Sequence, residues 1–377
     1  MVFTHHSDTV AITNLAAYKR NIQKIISYIG NTVELMAVVK ANAYGHGMVE
    51  CARTALEAGV SRFGVALLSE GAKLREAGIT APILVMTQES YRHIPGFVEN
   101  DLTISLTSSK MLDELKKLLA QSNKICRVHI KVDTGMGRIG IPADEALSLV
   151  ENAWKIPAIT VEGIFTHFPS ADENKDTFSC KQIEIFKNLL QKLEQKGLRP
   201  PIAHICNSAG TLKFPEAHFN LVRPGIMTYG LIPYPGSEKK LTLEPVLSLK
   251  SMITFIKEVP AGATVSYGST FVAKRPSRLA TVPVGYADGY NRYLSNKGKA
   301  IVNGTAVPVA GRVTMDQTVF DITDAGEVHE GDPVTLIGSD GDVCITVEDH
   351  AQIAGTISHE IVTGITSRVS RIVIPAT

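Results

Sequence analysis

A lysine closes a run of apolar residues near the start of the chain. Leu35-Met36-Ala37-Val38-Val39 ends on Lys40, and small residues, a tyrosine and two glycines follow in Ala41-Asn42-Ala43-Tyr44-Gly45-His46-Gly47. The apolar, partly β-branched run reads as a buried strand. A charged amine at the end of such a strand is costly unless it has a partner or a use. Desolvation lowers an amine's basicity and makes it a nucleophile toward carbonyls, as Schiff-base chemistry requires. The plain alternative is a strand-end lysine that snorkels to water. Other polar side chains close similar runs: Lys131 and Arg138, His167, Asn207 and Ser208, Arg223 and Gly225. Singly, each has an ordinary reading. His167 could be a satisfied core histidine, Asn207-Ser208 a helix cap, Arg223-Pro224-Gly225 a turn, and Lys131 to Arg138 a glycine-rich loop with an ion pair.

The elements that would carry these residues alternate. Leu15, Tyr18, Ile22, Ile25, Ile26 and Ile29 recur at helical spacing, with Thr13 or Asn14 as cap. Apolar runs follow at Glu34 to Lys40, Phe63 to Leu67, Ile83 to Met86, Leu102 to Leu106, Arg127 to Asp133, Ile159 to His167, Ile202 to Asn207 and Asn220 to Gly225. Helical stretches lie between them, from Met48, over Ser69 to Ala77, Ser109 to Ala120 and Ala143 to Asn152, and over the long Asn174 to Lys196. Strand–helix repeats of this number and length predict a TIM-type (β/α)8 barrel with near-continuously apolar strands. A doubly wound open sheet shares the alternation and is the rival architecture. In a barrel the strand ends meet on the C-terminal face, so the polar side chains named above converge on one mouth. Pro233, Pro235, Gly236 and two lysines to Lys240 read as a linker. Beyond it, Val- and Thr-rich runs separated by turn residues predict a mostly β second domain. The runs are Val246 to Val259, Arg278 to Gly285, Lys299 to Val313, Thr318 to Thr323, Pro333 to Gly338 and Arg368 to Ile374. The expected division is therefore 1–240 and 241–377, with the first ten or so residues free to join the β domain.

A phosphate suits the barrel mouth. Ser208 opens a predicted helix whose first N–H groups and positive dipole end favour an anion. Gly225 lets backbone approach a phosphate closely. With neither a Walker lysine loop nor a G-x-G-x-x-G after a strand, a nucleotide is disfavoured. A phosphate cradle beside a strand-end lysine points instead to pyridoxal 5'-phosphate held through Lys40.

Bulk properties narrow the class further. Among 377 residues, 38 Lys and Arg face 37 Asp and Glu, a net charge of +1 that offers no basic field for nucleic acid or anionic membrane. Composition is that of a globular protein, 44% hydrophobic and 20% charged. Cys51, Cys126, Cys180, Cys206 and Cys344 are scattered and odd in number, with no C-x-x-C pair, against a disulfide framework or a zinc site. No basic, then apolar, leader opens the chain and no apolar run is long enough to span a bilayer, so a cytoplasmic protein is expected.

Val38-Val-Lys40-Ala-Asn-Ala-Tyr44-Gly-His-Gly47 resembles the cofactor-attachment signature of the alanine racemases, fold-type III pyridoxal phosphate enzymes. The resemblance runs along the whole chain. It continues in Lys131-Val-Asp-Thr-Gly-Met-Gly-Arg138, Phe165-Thr-His167-Phe168, Val222-Arg223-Pro-Gly225 and Val265-Ser-Tyr267-Gly268. Val284-Gly-Tyr286-Ala-Asp-Gly289 and Gly311-Arg312-Val-Thr-Met315-Asp316 complete it. It implies a homodimer with shared active sites that interconverts L- and D-alanine and supplies D-alanine for peptidoglycan. The residue matching Lys40 carries the cofactor and is one catalytic base. The residue matching Tyr267, from the second domain of the other subunit, is the opposite base, and racemisation needs one on each face of a planar carbanion. His167 and Arg223 match a chain that favours the phenolate. Arg223 also matches the residue facing the pyridine nitrogen, where it leaves that nitrogen unprotonated. Arg138 matches the arginine on the substrate carboxylate, and Lys131 a lysine often carboxylated in relatives. Tyr44, Ser208 and the backbone of Gly225 and Ile226 are implied at the phosphate, with Asn207 nearby. The backbone of Met315 is implied at the substrate carboxylate, and Asp172, Tyr286 and Arg312 in the passage to the site, with Asp316 beside them.

One departure stands near the C-terminus. Where some relatives carry a tyrosine at the inner mouth, this chain is aligned with Ser367, which would leave room beside the substrate methyl and admit some serine. Three rivals to the racemase make different demands on the sequence. A fold-type III decarboxylase needs a glycine-rich phosphate loop and a reactive Cys with Asp opposite the lysine. A non-catalytic pyridoxal-phosphate-binding barrel lacks the second domain. A broad-specificity periplasmic racemase needs a signal peptide.

Overall fold

The computed structural model describes residues 7–173 and 177–376. Its first strand is β1 (Val10–Asn14), followed by β2 (Glu34–Val38), β3 (Arg62–Val65), β4 (Ile83–Val85), β5 (Thr103–Leu106) and β6 (Cys126–Asp133). Next come the short β7 (Ile141–Pro142), β8 (Ile159–Phe165), β9 (Ile202–His204) and β10 (Leu221–Val222). Eight of these form one parallel sheet in the order β10-β2-β3-β4-β5-β6-β8-β9. The Arg223 amide donates to the Cys206 carbonyl at 3.0 Å across the remaining gap, so the sheet nearly closes into the barrel that the alternation predicts. The open doubly wound sheet is excluded. The unforeseen β7 pairs in parallel with the end of β6.

Burial on both faces explains the composition of these strands: every residue of β4 and β5 is buried. Helices cover the outside. The first, Leu15–Ile29, is capped by Asn14, whose side chain accepts from the Ala17 amide at 3.0 Å. Its Tyr18, Ile22 and Ile25 form the stripe turned to the barrel, each 0% exposed. The helix expected from Asn174 runs over Phe178–Gln195, and positions 174–176 lie outside the described residues.

Several strands stop short of the runs that announced them. β2 ends at Val38, β8 at Phe165, β9 at His204 and β10 at Val222. The next residues, Val39, Thr166 and Arg223, still donate one amide each to the neighbouring strand or its continuation before the chain turns away at the mouth.

The rest of the chain is mostly strand. A seven-stranded sheet orders 305–308, 299–302, 333–340, 247–252, β1 and 370–374, with 343–345 at its side. β1 pairs antiparallel with Leu247–Met252 and in parallel with Ser370–Ile374, so the strand ahead of the barrel belongs to this sheet. Residues 1–6 lie outside the described residues. A second sheet joins 255–259, 277–282 and 318–321. The run from Lys299 to Val313 folds as a hairpin, 299–302 against 305–308. Two helices, Val347–Ala354 and Ser358–Gly364, lie where the sequence showed no helical pattern long enough to read.

Candidate active site

Lys40 does not end a strand; it opens a left-handed turn. Ala41, Asn42, Ala43 and Tyr44 have φ of 52, 54, 55 and 53°. For L-residues this conformation costs on the order of 1–2 kcal/mol each, so neighbours must hold it. The Glu70 carboxylate accepts from the Ala41 amide at 2.6 Å, and Asn42 Oδ1 accepts from the Met48 amide at 3.0 Å. His46 Nδ1 lies 3.0 and 2.9 Å from the carbonyls of Ala43 and Tyr44. Thr13 donates its hydroxyl proton to the His46 carbonyl at 2.8 Å. The His46 and Tyr44 rings both pack on Tyr229, at 4.5 and 5.1 Å, and Tyr229 donates to the Val38 carbonyl at 2.8 Å. This buttressing aims Lys40 into a cavity of about 210 Å³. Burial lowers the Lys40 pKa and Arg138 lowers it further, against an opposing pull from Glu70.

Nine sequence-predicted residues line that cavity: Lys40, Tyr44, His167, Asp172, Asn207, Ser208, Arg223, Gly225 and Ile226. Arg223 is 3% exposed. Its guanidinium donates to the carbonyls of Thr166 and Ile205 at 2.9 and 3.1 Å, to His204 Nδ1 at 2.6 Å and to His167 Nδ1 at 3.2 Å. No carboxylate pairs with it among the described residues. Burial, then the cations Arg223, Lys131, Arg138 and Lys40, hold the His167 pKa well below the usual histidine value. A neutral His167 that accepts at Nδ1 carries its proton on Nε2 and is a donor there.

The cradle fits a phosphate. A Cβ on residue 225 would collide with the Tyr44 hydroxyl, so only glycine lets backbone and phenol come this close. Ser208 Oγ accepts from the amides of Gly225 and Met227 at 3.0 and 3.4 Å, which gathers hydroxyl and amides at one place. Asn207 is the cap of the six-residue helix Ser208–Lys213, accepting from the Gly210 amide at 2.9 Å.

Lys131 is buried at 2% exposure, and its Nζ has no hydrogen-bond partner among the described residues. It stands over the Phe165 ring at 4.8 Å. Burial first, then Arg223 and Arg138, push its pKa down to about 7 against a smaller pull from Asp133. An uncharged amine with a free lone pair is the form that adds carbon dioxide. Arg138 is exposed at the end of its loop, close enough to act electrostatically on Lys40, Lys131 and His167.

Five predicted residues stand elsewhere on the chain. Tyr267, Tyr286 and Met315 are 73, 42 and 52% exposed, on the second domain with Arg312 and Asp316. Their backbones are tied together: Ala287 donates to the Met315 carbonyl at 3.0 Å, and Ser266 Oγ to the Arg312 carbonyl at 2.7 Å. Asp316 pairs with Arg368 at 2.9 Å. None of the five lines the Lys40 cavity of the same chain. Ser367 does not line it either; it borders a shallow pocket with Ala41, Gly45 and Arg371 on the other side of the turn. The C-terminal residue in the cavity is His359, its ring 5.8 Å from that of Tyr44. Sequence reasoning missed it because the short helix Ser358–Gly364 carried no periodic signal. His129 and His204, buried beneath the site, were also missed as ordinary strand residues.

A parallel barrel with a mostly-strand second domain and a partly desolvated lysine in its mouth cavity defines a class of two-domain barrel enzymes. Residues 13–233 match the family described as alanine racemase, N-terminal domain, and residues 246–373 the alanine racemase C-terminal domain. Alanine racemase of Methanococcus maripaludis is 42% identical over 361 residues, 95% of this chain and 96% of its own. That of Halothermothrix orenii is 42% identical over 363 residues, 96% of each. The crystal structure of alanine racemase from Bacillus anthracis with bound L-Ala-P superposes with a TM-score of 0.92 at 41% identity, covering 99% of this chain and 96% of that one. The chain belongs to the alanine racemase family, and its members are amino-acid isomerases.

Proposed function

We propose that this chain interconverts L- and D-alanine with pyridoxal 5'-phosphate at Lys40, as a cytoplasmic homodimer that supplies D-alanine for peptidoglycan. The observation that carries it is the Gly225–Tyr44–Ser208 cradle facing a desolvated Lys40 in one cavity. The cofactor, when bound, supplies the electron sink that makes the substrate's α-proton removable. Lys40 is the base on one face. Its lowered pKa leaves it more readily neutral and able to take that proton at Nζ. Tyr267 from a second copy of the chain is the base on the other face. Its exposure on its own domain, with Met315 and Tyr286, suits a residue completed only by a partner surface. His167 donates from Nε2 toward the mouth, which stabilises a phenolate there. Arg223, buried and always protonated, holds positive charge at the cavity floor. Arg138 at the rim would orient the substrate carboxylate bidentately, and the backbone of Met315 would meet the same group. Asp172, Tyr286, Arg312 and Asp316 would line the approach.

Racemisation of L-alanine by wild type, Lys40→Ala and Tyr267→Phe tests this directly. Lys40→Ala is expected to abolish turnover together with the absorbance of lysine-bound cofactor. Tyr267→Phe is expected to keep the absorbance and lose turnover. Full two-way racemisation by Tyr267→Phe would sink the two-base assignment.

A further inference from the structure

Beneath Arg223 a file of polar side chains crosses the barrel interior. His204 receives Arg223 Nη1 at Nδ1 and meets His129 Nδ1 through its own Nε2 at 2.8 Å. His129 Nε2 lies 3.1 Å from Glu162 Oε2. The other Glu162 oxygen takes Arg62 Nη1 at 2.9 Å, and Arg62 Nε reaches Glu34 at 2.9 Å, at the strand starts on the opposite face. His204 and His129 are 0 and 1% exposed. The file is built into the packing: Phe165 stacks flat on His204 at 4.8 Å, and a Cβ at Gly163 would collide with the His129 ring.

Its two ends leave one way to place the protons. A guanidinium only donates and a carboxylate only accepts. Three hydrogen bonds separate Arg223 from Glu162, and each needs one proton. Arg223 supplies the first, His204 Nε2–H the second and His129 Nε2–H the third. Both imidazoles are therefore neutral, and an extra proton on either would set N–H against N–H. Burial, with Arg223 and Arg62 nearby, depresses the basicity of both rings, in keeping with this count. Burial would raise the Glu162 carboxyl, but the bonds from His129 and Arg62 outweigh it and keep it ionised.

We propose that Glu162 is a positioning residue for Arg223. Acting through His129 and His204, it fixes the proton order in which His204 offers the guanidinium a lone pair. An apolar core would be cheaper than this file, and its return is a buried cation held in one orientation at the cavity floor. The inference rests on Arg223 working against the cofactor in the proposed racemase.

Histidine ¹⁵N spectra of the wild-type protein, with and without cofactor, read the proton order itself. The expected result at neutral pH is an Nε2–H tautomer at both His129 and His204. A Glu162→Gln amide can donate as well as accept, so the file loses its fixed end. Mixed tautomers at His204, weaker cofactor retention and a kcat lowered about tenfold are expected, with Glu162→Asp restoring much of each. An Nδ1–H or doubly protonated His204 in the wild type overturns the proposal. So does Glu162→Gln with the wild-type spectrum, and the first result needs no variant to fold. If Glu162→Gln scrambles the tautomers while Arg223→Lys leaves cofactor absorbance and turnover unchanged, the role given to Arg223 fails and the proton order stands.

Discussion

At the scale of single residues, surroundings decide what each side chain can do. Lys40 is half-buried and Lys131 buried, yet only Lys40 opens into the cavity, whereas Lys131 sits on a ring face with its amine unpartnered among the described residues. His46 shows the same control. Burial drives its pKa down to about 4 from an ordinary 6.5, and only partly do the carbonyls of Tyr44 and Ala43 resist. With the folded value below the unfolded one, its contribution is complete above pH 6.5 and is lost as pH falls from there toward 4. By pH 5 the loss should reach about 2 kcal/mol for this histidine. Urea midpoints measured across that range should show it, and His46→Gln should flatten the slope. The C-terminal specificity residue is also a matter of surroundings. Since His359 lines the cavity and Ser367 does not, Ser367→Tyr should leave the serine-to-alanine ratio of kcat/KM unchanged. His359→Tyr should move that ratio, and the reverse pattern would return the role to Ser367.

At the scale of elements, the Lys40 turn is a strained segment held by what surrounds it. Four successive left-handed residues would not persist alone. Glu70 contributes most visibly. Its carboxylate accepts from Ala41 at 2.6 Å and reaches back to the amides of Ala66 and Leu67 at 2.7 and 3.1 Å. It thereby caps its own helix, Leu68–Glu76, while pinning the turn. Charge-assisted bonds of this kind are worth roughly 1.5–3 kcal/mol. Glu70→Ala should therefore cost about 2 kcal/mol in denaturant unfolding and speed amide hydrogen exchange at Ala41 to Tyr44. Unchanged exchange there would assign the restraint to Asn42 and His46 instead.

At the scale of the whole molecule, the proposed chemistry is divided between copies. Lys40 lies in the barrel cavity, while Tyr267 stands 73% exposed outside it. Mixing Lys40→Ala with Tyr267→Phe, each inactive alone, should restore activity, because one site of a mixed dimer then holds both bases. Failure to recover after subunit exchange would place both bases within a single chain. Tyr267, Tyr286 and Met315 are among the exposed large apolar side chains of the second domain, and the proposed partner would cover them.

What the amino-acid order determined by itself was set by local rules. Apolar runs between helical stripes specified eight barrel strands in their right positions, and Asn14 and Asn207 announced caps that they form. Long motifs specified Lys40, His167, Arg223 and Gly225, and the strand-end pattern specified Ser208; the fold gathers all five in one cavity. Tertiary structure alone decided the rest. The strand before Lys40 ends short because the backbone after it turns left-handed, which no single-residue propensity favours outside glycine. His359 reaches the cavity where Ser367 does not, and the short helix Ser358–Gly364 that carries His359 has no periodic signal to announce it. The file from Arg223 to Glu162 joins positions far apart in the chain, and its proton order depends on which nitrogen faces which oxygen. Such relations exist only in three dimensions, since hydrogen-bond direction is a property of paired atoms and not of residue types.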